Sequence, residues 1–71
     1  MVPTDFPSSF KEFLASKVGK EVTIHFFEKD SITREIYYVG EDYLVTHHEE
    51  FRFKETNIIP FSQILYISDY D

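Results

Sequence analysis

The 71-residue chain carries 13 acidic residues against 7 Lys plus Arg, a net charge of −6, and contains no Cys and no Trp. That length admits one small domain over residues 1–71, and ordering it costs on the order of 100 kcal/mol of conformational entropy at about 1.5 kcal/mol per residue. A disulfide framework and a thiolate metal site are excluded, and the cysteine-free composition suits a reduced, cytoplasmic setting. No apolar run approaches the ~18 residues of a membrane span, and Met1-Val2-Pro3-Thr4-Asp5 lacks the basic region and apolar core of a signal peptide, so no membrane contact is expected. The acidic balance opposes non-specific binding to phosphate backbones, and no DNA partner is expected.

Ser9 followed three residues later by Glu12 is a capping-box pattern that predicts a helix over about residues 9–18. Phe10, Phe13, Leu14 and Val18 form its apolar stripe, and Gly19 can end it in a left-handed conformation. From there the period changes from 3.6 to 2, and β-branched and aromatic residues dominate. Val22, Ile24 and Phe26 alternate with Thr23, His25 and Phe27 in a strand at about 21–28, followed by a polar turn at Glu28-Lys29-Asp30-Ser31. Ile32 to Val39 is the second strand, and Val39-Gly40-Glu41-Asp42 is a turn in which the glycine can supply positive φ. Tyr43 to about His48 is the third.

No glycine or proline marks the next reversal. A turn at Glu49-Glu50 would put Phe51 and Phe53 inward on the fourth strand; the alternative carries the third strand to Phe53 and turns at Lys54 to Asn57. Pro60 lacks an N–H, so Ile58-Ile59-Pro60 ends a strand or lies at an edge or bulge. Phe61-Ser62-Gln63 is a short turn, and Ile64 to Ile67 is the last strand. The fold class is therefore mainly β, an N-terminal helix followed by a five-stranded, strongly bent antiparallel sheet that closes as a small barrel. An open meander with the helix on one face is the alternative.

Two stretches resemble the Sm-like (LSm-like) family of small β-barrels. Val18-Gly19-Lys20-Glu21-Val22-Thr23-Ile24, with Ile36 and Val39, looks like its first motif, and Ile58 to Ile67 is similar to its second in apolar spacing and in the short turn before a final strand. With the helix they span nearly the whole chain. The resemblance implies assembly into rings in which the fourth and fifth strands pair with neighbouring subunits, so Ile58, Ile59, Leu65 and Tyr66 are the subunit-interface candidates. The family's uridine-pocket residues are replaced: Gly40 stands where aspartate is usual, Leu44 where asparagine is, and Pro60-Phe61 where arginine and glycine are. The chain thus reads as a divergent member with an altered RNA surface.

His47-His48-Glu49-Glu50 is the one cluster that suggests a metal, but adjacent strand residues point to opposite faces, so the two histidines cannot share an ion; His47 with Glu49, or with His25 across the sheet, could, but three ligands at suitable spacing are not visible and no metal site is assigned. With no cysteine, no glycine-flanked serine and no glycine-rich phosphate loop, no catalytic residue and no cofactor is assigned, and the protein is expected not to be an enzyme. Eight Phe and five Tyr exceed what a small barrel encloses. Phe10, Phe13, Phe26, Phe51 and Phe53 suit the core or the helix seam by phase. Phe27, Tyr37, Tyr38, Phe61, Tyr66 and Tyr70 are left for the surface, where exposed rings usually mark protein contacts. The expected function is a non-enzymatic scaffold or adaptor forming a homo-oligomeric ring, its partners being itself and then a protein or RNA. The alternative is a monomeric SH3-like module with an aromatic groove at Tyr37, Tyr38, Tyr43 or Phe61 for basic peptides.

Overall fold

The computed structural model describes residues 9–69. In it the chain forms α1 (Phe10–Ser16), β1 (Glu21–Phe26), β2 (Ser31–Val39), β3 (Tyr43–Glu50), β4 (Phe53–Pro60), a 3-10 turn (Phe61–Gln63) and β5 (Ile64–Ser68). Tyr70, expected on the surface, lies outside the described residues. The helix begins as the sequence dictates, with the Ser9 hydroxyl accepting the Glu12 N–H at 3.0 Å, which satisfies one of the donors a helix start leaves open. It ends at Ser16, before Gly19, whose φ of +87° turns the chain so that its N–H donates to the Ile36 carbonyl at 2.8 Å. Leu14 is the helix's fully buried residue, and Phe13 packs against the same core.

The five strands make one antiparallel sheet in the order β4-β3-β2-β1-β5. Val22 and Ile24 of β1, Ile36 of β2, Leu44 of β3, Ile59 of β4 and Ile64 of β5 alternate onto the inner face and join Leu14 in the core. The connection from β4 to β5 requires the sheet to curl. In a flat sheet the outermost strands lie roughly 19 Å apart, four spacings of about 4.8 Å, whereas four Cα steps from Pro60 to Ile64 span at most about 15 Å. The curl brings the two edges toward each other, but no ladder joins β4 to β5, so the sheet is open rather than closed.

Three expectations need correction. The β3–β4 reversal occurs at neither expected place but at Phe51-Arg52, between the paired residues Glu50 and Phe53, and Phe51 adopts a φ of +53°. Opposite charges on the flanking strands, Glu49 against Lys54, suit this register. Phe51 and Phe53 are consequently exposed rather than inward. The pairing of β2 with β3 stops at Glu35 and His47, so beyond His47 the β3–β4 hairpin is a two-stranded ribbon with no third strand beside it. Gly40, finally, is not a positive-φ glycine. Its requirement is steric, because a Cβ there would stand 2.3 Å from the Tyr43 ring.

Candidate functional site

The pleat and the strand order decide what each edge offers. In β4, Leu44 pairs with Ile59 and Val45 with Ile58, so Ile59 faces the core at 7% exposure while Ile58 faces out at 70%. Of the two isoleucines named as interface candidates, only Ile58 therefore presents its side chain, and Ile59 contributes backbone alone. On β5 the register shifts opposite Phe26: His25 pairs with Tyr66, and Phe26 with Ile64. That bulge leaves Leu65 without a partner residue on β1, 51% exposed at the edge. Tyr66 stacks on His25, ring centroids 4.0 Å apart and planes 12° from parallel, while His25 Nε2 and the Ser68 hydroxyl share a hydrogen bond of 3.0 Å. The exposed ring of Tyr66 is thus held in a fixed orientation beside Leu65.

The aromatic candidates do not form one groove. Tyr37 is the extra residue of a second bulge, between Ile36 and Tyr38 on β2, and both tyrosines are exposed. Tyr43 is half-buried, with its ring over Gly40 and 6.3 Å from that of Tyr38. Phe61 packs against the core and meets Phe10 in a T-shaped contact, ring centroids 5.2 Å apart. Tyr37 and Tyr38 remain a pair of open rings on the outer face; Tyr43 and Phe61 serve the packing of the turns beneath.

The histidines behave as strand geometry demands. His47 approaches Glu49 at 3.7 Å and His48 approaches Glu50 at 3.5 Å, each with the residue two along on its own face. Among the described residues no three His, Asp or Glu side chains converge as a metal site would require. At the opposite end, Lys11 of the helix hydrogen-bonds Glu41 at 2.7 Å. That bond and the lysine charge hold the Glu41 carboxyl below its usual pKa and tie α1 to the β2–β3 turn. The end of β5 is tied to the helix by Lys17 and Asp69 at 2.5 Å.

Two concavities flank the β1–β2 turn. One, of about 250 Å³, is lined by Phe26, Glu28, Asp30, Ile58, Ile59, Pro60 and Gln63, where the curled edges approach one another. The other, of about 260 Å³, holds the stacked His25 and Tyr66 with Lys29 and Leu65. Sequence reasoning missed the first, because it is created by the curl and not by any local motif. No helix among the described residues is long and apolar enough to cross a membrane. Compared with protein-family models, curated proteins and solved structures, the chain matches none.

Proposed function

We propose that this chain is a divergent, non-enzymatic Sm-like protein of the cytoplasm, a small open barrel that assembles into a homo-oligomeric ring and acts as a scaffold or adaptor. The observation that carries the reading is the strand order. Both outermost strands, β4 and β5, have an unpaired side, and each exposes an apolar side chain there or beside it, Ile58 on one and Leu65 with Tyr66 on the other. An exposed strand edge with apolar side chains aggregates unless something covers it. Pairing the β4 of one copy with the β5 of the next covers both edges at once. Such a contact is heterologous, and it closes into a ring when the rotation between copies divides a full turn. The replaced uridine-pocket residues and the net charge of −6 leave RNA as a secondary ligand and the chain itself as the first partner.

The test is Leu65→Asp and Ile58→Lys, each placing a charge in the seam. Both are expected to lower the mass of the native particle at a given concentration while leaving the far-ultraviolet circular dichroism of the subunit unchanged. Particles of undiminished mass in both variants would overturn the proposed seam.

A further inference from the structure

We infer that the tip of the β3–β4 hairpin docks into the Phe26–Ile58–Pro60 cleft of a second copy of this chain. The inference rests on self-association as proposed above, but not on which edges pair. Phe51 is 96% exposed and holds a left-handed φ of +53°, a conformation unfavourable for a bulky residue. It stands at the end of a ribbon that no third strand supports. An apolar ring so placed has no role in this subunit's packing. The cleft offers an apolar floor of Phe26, Ile58 and Pro60 beside the Ile59 backbone, and its volume of about 250 Å³ accommodates a phenyl ring, since a cavity of about 150 Å³ holds benzene.

Charge selects the same match. Glu28 and Asp30 line the cleft and make no ion pair among the described residues. Beside Phe51, Arg52 is likewise exposed and makes none. Lys54, the other cation of the ribbon, lies 4.0 Å from Glu49, so Arg52 is the cation available at the tip. A subunit cannot fill its own cleft this way. Phe53 and Ile58 lie at opposite ends of β4, about 16 Å apart along an extended strand, and the tip points away from that end. Only another copy can bring Phe51 to the floor and Arg52 to the rim.

Charge reversal in the full chain tests this. Arg52→Glu and Asp30→Arg are each expected to weaken self-association about tenfold by sedimentation, as loss of one desolvated charge pair implies. The double variant recreates the pair with its polarity reversed and is expected to return to within about threefold of the parent. Glu21→Arg makes the same change of net charge as Asp30→Arg, elsewhere on the surface, and is expected to leave association unaltered. Phe51→Gly, which suits a positive φ, is expected to weaken association while the melting temperature of the dissociated subunit does not fall. A double variant no better than the weaker single, or Phe51→Gly with undiminished association, would overturn the contact, as would a parent chain monomeric at every concentration. Loss of mass in Leu65→Asp with none in Arg52→Glu would retain the edge seam and reject the docked tip; the reverse would do the opposite.

Discussion

Thr46→Val is expected to stabilise the fold. Thr46 is fully buried on the inner face of β3, and its hydroxyl has no hydrogen-bond partner among the described residues. Its neighbours explain why. Ile36 and Asn57 stand opposite it on the two flanking strands, and the Asn57 amide is turned to the Glu55 carboxylate, to which it donates at 2.6 Å. A buried hydroxyl left unpaired costs about 1–3 kcal/mol on the scale of protein substitutions. Valine fills nearly the same volume with no polar group to desolvate, so a gain of about 1–2 kcal/mol is expected. For a domain of this size each kcal/mol raises the melting temperature by about 4–8 °C. The assay is thermal and urea unfolding followed by circular dichroism, both proteins being held at one concentration because association would shift the transition. A fall in stability would refute the reasoning, since it would mean that the hydroxyl is bonded in the folded protein.

Other consequences follow from single residues. Ile59→Ala is expected to cost about 2–5 kcal/mol, as large-to-small changes in a core do, while Ile58→Ala changes subunit stability by less than about 0.5 kcal/mol; parallel urea titrations compare them. Ser9→Ala removes the hydroxyl that accepts the Glu12 N–H at the start of α1 and is expected to cost about 0.5–2 kcal/mol in the same titration. Gly40→Ala drives a methyl into the Tyr43 ring and is expected to destabilise by about 1–3 kcal/mol. Adding Tyr43→Ser should then cost less than the sum of the two single changes, as a thermodynamic cycle would measure.

The elements were legible where the cause is local. Ser9 and Glu12 announce the helix start, and the alternation through Val22, Ile24 and Phe26 announces β1, because each needs only its near neighbours in sequence. The β3–β4 reversal was not legible, since its turn uses a phenylalanine at positive φ where glycine or asparagine would signal one. The phase of Phe53 was that of an inward residue, yet it is exposed: alternation assigns a face to a side chain but cannot say whether other strands lie behind that face. Gly40 shows the same limit, because its restriction comes from a ring three residues away and not from its own φ. At the candidate site, Leu65 and Tyr66 are named by resemblance to the Sm-like family, and both are exposed on β5. Ile59 was grouped with Ile58 by resemblance, and the pleat separates them. The cleft beside Phe26 depends on a curl that brings residues more than thirty positions apart into one lining, and no spacing in the sequence records it.

Self-association is the claim on which both the ring and the docked tip depend, and the mass of the native particle tests it most directly. Light scattering behind a sizing column, over about a hundredfold range of concentration, reports that mass without reference to any ligand. A defined multimer of constant mass over that range is the expected result. A particle that runs as a single 71-residue chain throughout would contradict the account and leave the open rings of Tyr37 and Tyr38 as the surface of an isolated, peptide-binding module.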